Sequence, residues 1–396
     1  MFLSLLQKEC KMWLKSIVFY AYVIILFLFY VSQMGEETVL KQPSPGLDNY
    51  GSTYSDDKNI IMNEAIKALI NEYERGHFIT YPVMFYKEVV LSKDENRLMV
   101  DYITELTGKN KAEWEQITEN YAATDLNYDS FLELMKKVTK LIGSGSSYEA
   151  NSLKQHGVVP KTYEDALKEY THVVEKDHIT GAYARLFSDY IGILLGILPA
   201  FFGITRGIKE KRSQVASVIY TKRAGSIAII LSRYFGMIIM MFIPVLLVSC
   251  FSLSQGIYIA NAAGVSPDYL AYVKYCTGWL LPIILFVTAL SYLITEMTES
   301  ILSILVNIVL WYINVSKGTA MLLLGAGWNL MPRFNTLGRY ELFQEILPQL
   351  IVNRMVYSIA SILIVVILIV IYELKRKGGY VIRGKVPKDM YSQSQA

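Results

Sequence analysis

Residues 16–31 carry the sequence SIVFYAYVIILFLFYV, a run of sixteen residues without one charged side chain. A helix that crosses the hydrocarbon core of a bilayer needs about 20 mostly apolar residues. No small-residue cleavage site follows the run, so we interpret it as an uncleaved membrane anchor and not as a signal peptide. This stretch therefore predicts that the chain is held in a membrane.

Five further apolar runs of similar length lie downstream. The composition agrees with a membrane protein, because charged residues make up only 18% of the chain and hydrophobic residues 53%. A soluble domain carries about 25% charged residues. The predicted transmembrane helices cover residues 16–32, 183–204, 234–253, 276–295, 300–318 and 353–373.

Charge is unevenly distributed between the loops. Lys and Arg mark the cytoplasmic side of a membrane protein, and here they cluster in residues 1–15, 205–233 and 374–396. Residues 33–182 instead hold 25 Asp and Glu against 16 Lys and Arg. With six helices, both termini are then cytoplasmic and residues 33–182 are extracellular. The basic clusters are explained by topology, so no nucleic-acid partner is predicted.

The segment 33–182 shows helical spacing of its apolar residues. The pattern covers residues 57–75, 111–121, 128–142 and 163–177. The segment contains no cysteine, so no disulfide framework holds it together. The sequence therefore predicts an all-α membrane protein with six transmembrane helices and a mostly helical extracellular domain.

Residues 1–15 predict an amphipathic helix that lies in the inner membrane interface. Lys8, Lys11 and Lys15 fall on one side of it, and apolar side chains fill the other. Glu9 breaks the pattern by projecting from the apolar side. Two interpretations stay open: a carboxylate solvated near the interface, or an ion pair with a partner or a second subunit.

The cytoplasmic segment 205–233 is long and basic. Its pattern predicts a helix over 209–220, a break at 221–225 and a second helix from Ser226 into the third transmembrane helix. A positively charged loop that only sets the topology is one interpretation. The apolar stripe of the first helix favours the other, a contact surface for a cytosolic partner.

Three further charged features carry expectations. The fifth apolar run is interrupted at Lys317, which predicts a helix end there and a re-entrant or interfacial region over 319–350. Arg185 and Asp189 are spaced to form an ion pair on one helix face. Glu296 and Glu299 occupy a turn without Lys or Arg, which favours a solvated turn over contact with a basic partner.

Sequence motifs for covalent chemistry are missing from the chain. It has no GxxxxGK[ST] phosphate loop, no GxSxG elbow and no HExxH zinc helix. The segment DLNYD, residues 125–129, imitates the start of a calcium loop but lacks the later glycine and glutamate. We interpret Asn127 or Asp129 as the cap of the helix that follows. No catalytic residue and no metal site is predicted, and the chain is not expected to be an enzyme.

Two local motifs, taken with the topology, resemble the permease subunits of ABC-2 type transporters. The segment LLQKECKMWLK (5–15) is similar to the connecting helix of that family, with Lys8 and Glu9 at its Lys-Glu pattern. The segment EKRSQVASVIYTKRAGSIAIILSRY (210–234) is similar to the family's coupling segment, although Arg223 stands where the family commonly has proline. The resemblance implies an ATPase-coupling interface at Glu210, Arg212, Val215, Val218, Ile219, Thr221, Arg223 and Arg233.

The resemblance also implies the partners and the function. A dimeric cytosolic ABC ATPase would bind ATP and magnesium, so this chain needs no cofactor of its own. A second copy or a homologous permease would complete the pathway, in contact with membrane lipids. The expected function is export of a lipid-like, peptide or hydrophobic substrate across the plasma membrane of a bacterium, and the composition favours a Gram-positive one. The alternatives are a force-transmitting ABC-type subunit that transports nothing, and a receptor or sensor whose extracellular domain binds a ligand.

Overall fold

The computed structural model describes residues 1–34, 40–82, 85–213, 219–220, 223–317 and 325–378, and only the backbone of Glu210 and Lys211. Helices dominate this part of the chain. They are α1 (Phe2–Trp13), α2 (Ile17–Met34), α3 (Lys58–Arg75), α4 (Lys93–Thr107), α5 (Tyr128–Ile142), α6 (Tyr163–Thr171), α7 (Thr180–Leu195), α8 (Leu198–Arg212), α9 (Ser226–Ala262), α10 (Ala271–Tyr275), α11 (Leu281–Thr298), α12 (Ser303–Ser316) and α13 (Tyr340–Arg376).

The chain divides into two compact units. The first consists of residues 1–40 and 169–396, and the second of residues 41–168. The second unit lies within the segment 33–182 that the sequence predicts to be extracellular. Each unit has a hydrophobic core of its own.

The first unit contains the apolar helices. In the described part of the chain, five helical stretches are long and apolar enough to cross a membrane. They are Ile17–Met34, Thr180–Lys209, Ser226–Ala262, Ala271–Thr298 and Tyr340–Arg376. The predicted fifth transmembrane helix corresponds to α12, which has only 14 residues and ends one residue before Lys317. The chain is thus an all-α protein compatible with several passages through a membrane.

Two helices are much longer than the apolar runs within them. Both α9 and α13 have 37 residues, because mixed apolar and polar residues beside the runs at 234–253 and 353–373 continue the same helix. In α13 this corrects the expectation of a separate surface element over 341–350. The helix passes through Pro348 and joins that stretch to the sixth predicted span. Residues 318–324, which open the predicted re-entrant region, lie outside the described residues.

The second unit combines α3, α4, α5 and the first part of α6 with two short strand pairs. Strands β1 (Ser52–Tyr54) and β4 (Val158–Pro160) pair antiparallel, as do β2 (Phe78–Thr80) and β3 (Lys87–Val89). Its core contains one apolar face from each of α3, α4 and α5. The strands and α4 were not predicted. Of the predicted helix over 111–121, only the 3₁₀ segment Lys111–Gln116 forms.

Local capping explains where these helices begin. The Asp57 side chain accepts from the backbone N–H of Asn59 at the start of α3. Ser92 and Glu95 form a reciprocal capping box at the start of α4. The Asn127 side chain accepts from the N–H of Ser130 at 2.9 Å, which confirms the predicted cap of α5.

Candidate functional site

The amphipathic helix α1 packs against the other helices of the first unit through its apolar side. Lys8, Lys11 and Lys15 are exposed, as predicted, whereas Trp13 is fully buried with its ring 4.5 Å from the ring of Phe202. A charged face and an apolar face are thus separated over residues 2–15. This arrangement leaves the three lysines available to a charged surface or to solvent.

Both interpretations of Glu9 that the sequence left open are wrong, because its partner lies in the same chain. Its carboxylate accepts two hydrogen bonds from Arg206 of α8, at 2.9 Å from Nε and 2.8 Å from Nη2. Such a two-point guanidinium–carboxylate pair fixes orientation as well as distance. The ion pair therefore lies within one chain and ties α1 to the end of α8.

Gly236 allows α1 to approach α9 closely. A Cβ atom at this position would lie 2.9 Å from the Cβ of Glu9, which is closer than real Cβ contacts. Glycine at 236 therefore permits the position from which Glu9 reaches Arg206. Sequence spacing gave no sign of this contact.

The predicted coupling residues are distributed over different environments. The predicted helix start at 209 is wrong, because α8 is already helical from Leu198 and continues to Arg212. Arg212 and Arg223 are exposed, and Ile219 is partly buried against the core. Glu210 belongs to α8, with its side chain outside the described part. Val215, Val218 and Thr221 lie outside the described residues.

Arg233 is in a different environment from the other predicted coupling residues. It is 3% exposed, and its guanidinium lies 5.0 Å from the centre of the Tyr372 ring and 3.3 Å from the hydroxyl of Tyr292. Helix α9 begins at Ser226, so Arg233 lies about two turns into that helix. This position offers no exposed surface to a cytosolic partner, and the residue instead connects α9, α11 and α13.

The C-terminal end of α13 contacts the basic segment 205–233 at its residues 220, 224 and 226. Arg376 donates to the carbonyl oxygens of Tyr220 at 2.9 Å and Ala224 at 2.7 Å. The rings of Tyr220 and Tyr372 meet edge to face at 5.7 Å, and Ser226 donates to Glu373. The segment is thus attached to α13 through its backbone as well as its side chains.

The predicted solvated turn at Glu296 and Glu299 is wrong, because Glu296 lies in the last turn of α11 and Glu299 directly follows that helix. Lys375 lies 3.3 Å from carboxylate oxygens of both Glu296 and Glu299, and it also donates to the carbonyl oxygen of Glu296. Glu296 is buried. Adjacent residues of α13, Lys375 and Arg376, therefore bind the turn after α11 and the basic segment before α9. We call the contacts around these two residues the basic-end cluster.

A second set of charges lies on α7 and on the chain just before α13, away from the basic-end cluster. The predicted ion pair between Arg185 and Asp189 is wrong. Arg185 pairs with Asp177 at 2.8 Å, and Asp189 pairs with Arg333 at 3.0 Å. Both residues of α7 are buried, and each reaches a partner from another segment that sequence spacing could not identify.

Aromatic rings complete the environment of Arg185. Its guanidinium carbon lies 5.3 Å from the ring centre of Phe334 and 4.7 Å from that of Phe343. It also donates to the carbonyl oxygen of Leu337 at 2.8 Å. These contacts fasten the segment before α13 to α7.

A cavity of about 580 Å³ opens beside α2, α7 and α9. Its volume falls within the range of small-molecule sites. Its described lining carries no charged side chain and combines apolar walls with hydroxyl and amide groups, including Tyr170, Tyr183, Ser252, Ser254, Gln255 and Tyr258. The cavity offers hydrogen bonds without a charge, an environment for an uncharged or amphipathic molecule.

Metal-ligating residues do not gather within the described part of the chain: it holds no group of three His, Cys, Asp or Glu residues that could bind a metal ion. The chain matches no protein-family model, no curated protein and no solved structure in the three comparisons.

Proposed function

We propose that this chain is the membrane subunit of an ABC-type exporter in a bacterial plasma membrane, with both termini in the cytoplasm. Six passages, with α12 as the short fifth one, would leave residues 41–168 outside the cell. A separate dimeric ATPase would bind ATP and magnesium, and two permease subunits would form the pathway. The chain itself would carry out no covalent chemistry.

The basic-end cluster carries this proposal. A coupling segment must transmit displacement to the helices that form the pathway. Here residues 220 and 224 of the segment are held by Arg376, and the neighbouring Lys375 holds the turn between α11 and α12. A push on the segment would therefore move the ends of three helices together. Rearrangement of packed helices between two discrete states is a common form of such switching.

Helix α1 adds a second connection to the same region. The Glu9–Arg206 pair fastens it to α8, six residues before the last residue of that helix. Its exposed lysines suit the anionic inner surface of a membrane. An interfacial helix fixed in this way would hold the start of the segment 205–233 in place. The later part of that segment would move with α13.

The cavity of about 580 Å³ supports an uncharged or amphipathic substrate. Its tyrosine and hydroxyl groups can orient a polar head, and its apolar walls can accept a chain. A lipid-like molecule, a hydrophobic peptide or another hydrophobic compound fits this chemistry.

The test is affinity purification of the tagged full-length protein from its native membranes, with mass spectrometry and an ATPase assay on the eluate. Arg212 and Arg223 are exposed, and neither forms an ion pair with another described residue. We expect the double variant Arg212→Glu, Arg223→Glu to lower co-purified ATPase activity about tenfold, since reversed charges at an interface oppose association.

The matched control changes the same amount of charge on the second unit. Lys136 and Lys140 are exposed on α5, and Lys136→Glu, Lys140→Glu should leave ATPase recovery unchanged. A wild-type eluate without any phosphate-loop ATPase, even after crosslinking, would contradict the proposal. So would equal losses in the two double variants.

Inverted vesicles separate transport from force transmission. A permease should support ATP-dependent uptake of a fluorescent lipid or a labelled amphipathic peptide. An ATPase that binds and hydrolyses ATP without any uptake would favour the force-transmitting alternative. A sensor would show ligand binding on residues 41–168 and no bound ATPase.

A further inference from the structure

A second cavity, of about 320 Å³, lies between α13 and the segment that joins α10 to α11. Most of its wall is apolar and includes Phe343, Leu347, Leu350 and Ile351. Four nitrogen-bearing side chains also line it, Lys274, Trp279, Gln344 and Arg354, of which Trp279 and Arg354 are buried. All of these residues belong to the first unit.

Arg354 is a buried cation without an acidic partner. It is 5% exposed, and no carboxylate of the residues that the structure describes lies within ion-pair distance of it. Its Nε binds Asn353 Oδ1 at 2.9 Å, and its Nη2 binds Asn353 Oδ1 and the carbonyl oxygens of Asn329 at 2.9 Å and Leu330 at 3.0 Å. Carbonyl dipoles lower the energy of the buried charge but do not neutralise it.

Two donors at this cavity have unused capacity. Nη1 of Arg354 makes only a 3.3 Å contact with the carbonyl oxygen of Trp279. The indole Nε1 of Trp279 is buried and has no hydrogen-bond partner in the structure. Buried polar groups are nearly always paired, so an unpaired donor beside a cavity indicates an acceptor that binds there. A guanidinium and an indole N–H are both hydrogen-bond donors, and the guanidinium is also a cation. Together they favour an anionic acceptor such as phosphate.

The position along α13 indicates where such an anion comes from. Residues 354 to 376 of this helix extend about 33 Å, close to the thickness of the hydrocarbon core of a bilayer, about 30 Å. With the basic end of α13 at one membrane surface, Arg354 lies at the head-group level of the opposite leaflet. Ile351 on the cavity wall is 51% exposed, so the apolar wall continues onto the outer face of the helix.

We infer that this cavity binds an anionic membrane lipid, with its phosphate on Arg354 and Trp279 and part of its chain along Leu347 and Ile351. Lys274 at the cavity rim is already paired with Asp268 at 2.7 Å and contributes little to the recognition. A lipid bound here needs no ATPase partner. The site is separate from the uncharged cavity of about 580 Å³.

Native mass spectrometry of the purified full chain, titrated with phosphatidylglycerol or phosphatidylcholine, tests the site. We expect phosphatidylglycerol to bind about tenfold more tightly, because its head group keeps the net negative charge of the phosphate, whereas the choline ammonium of phosphatidylcholine offsets that charge beside a buried guanidinium. Equal affinity for the two lipids would overturn the inference.

Three variants locate the binding. Trp279→Phe keeps an aromatic ring but removes the indole N–H together with the five-membered ring, and Arg354→Gln removes the charge; both should abolish the preference for phosphatidylglycerol. Gly278→Leu adds a side chain where nothing lies within 4 Å of its Cβ, and it should block the cavity without altering charge. Thr277→Leu is the matched control, because Thr277 is exposed and does not line the cavity.

Far-UV circular dichroism checks that each variant is folded. If Arg354→Gln does not fold, Trp279→Phe and Gly278→Leu decide the question. Wild-type preference in both of these variants would overturn the inference, as would an equal loss in Thr277→Leu. Inorganic phosphate should fail to displace the lipid at millimolar concentration; full displacement would show an anion site without a lipid chain and would also overturn it.

Discussion

Buried arginines illustrate how single residues are placed in this protein. Arg185 is paired with a carboxylate and stacked on aromatic rings, whereas Arg233 lies on Tyr372 and near a second tyrosine hydroxyl. Arg354 is surrounded mainly by carbonyl and amide oxygens. Each environment stabilises the guanidinium differently, so replacing each arginine should have a different consequence.

The first prediction concerns the pair of Arg185 and Asp177. Both side chains are buried, so Arg185→Gln leaves a carboxylate in a region of low dielectric constant. We expect a loss of about 3 kcal/mol in stability, seen as a lower melting temperature in fluorescence-detected size-exclusion chromatography. The control is Lys274→Gln, whose pair with Asp268 is partly exposed and should contribute less than about 1 kcal/mol. Equal melting temperatures of the two variants would contradict this expectation.

The second prediction concerns His156 in the second unit. Its ring stacks on Tyr148 at 5.4 Å, and Nε2 lies 3.2 Å from the carbonyl oxygen of Ser147. Burial lowers the pKa of His156 below its ordinary value of 6.5. As the pH falls below that value, the unfolded chain binds a proton that the folded unit does not. The free energy of unfolding should therefore decrease toward acid, by at most about 1.4 kcal/mol per pH unit.

Urea titrations of residues 41–168 measure this effect between about pH 5 and pH 8, the range in which a histidine side chain changes its charge. The variant His156→Gln keeps a group able to bond to the Ser147 carbonyl but cannot be protonated. The difference between wild type and variant should depend on pH only in the acid half of the range. A difference that stays constant over the whole range would contradict the assigned role of His156.

At the scale of the element, helix ends depend on short polar segments. The segment DLNYD before α5 imitates a calcium loop, but the Asn127 side chain is engaged with the N–H of Ser130. The cap uses a local hydrogen bond between residues three apart, so sequence alone could predict it. Helix lengths are less predictable. The expected start of α9 at Ser226 is confirmed, but α9 continues past the run at 234–253 to Ala262, and α13 begins at Tyr340, well before the run at 353–373.

The third prediction concerns the contribution of the Asn127 cap of α5 to the free energy of unfolding. Asn127→Ala should lower the stability of the second unit by about 1 kcal/mol, because the helix loses the acceptor of a free N–H group. Chemical denaturation of residues 41–168 measures the change. Asp125→Ala, at an exposed position in the same segment, should change it by less than about 0.5 kcal/mol. A larger effect at Asp125 than at Asn127 would show that the cap was assigned to the wrong residue.

At the scale of the whole molecule, two units with separate cores share one chain. The second unit is built from residues 41–168 and contains faces of three amphipathic helices packed together. About 130 residues suffice for an independent hydrophobic core. The apolar helices all belong to the first unit.

The fourth prediction follows from this division. Residues 41–168 expressed alone should fold in water and unfold in one cooperative thermal transition, because the core of that unit is complete without the membrane helices. Far-UV circular dichroism should show a helical spectrum. A broad, non-cooperative transition would indicate that the first unit is needed to complete this core.

The sequence by itself determined the helical class, the apolar helices, the amphipathic character of α1 and the cap of α5. These features depend on composition, periodicity and contacts between residues a few positions apart. Only the tertiary structure decided that Glu9 binds Arg206, that Asp189 binds Arg333 instead of Arg185, and that Arg233 and Lys375 are held within the helix bundle. Each of these contacts joins residues far apart in the chain. The partner of a buried charge is set by which helices pack together, and sequence spacing carries no information about that.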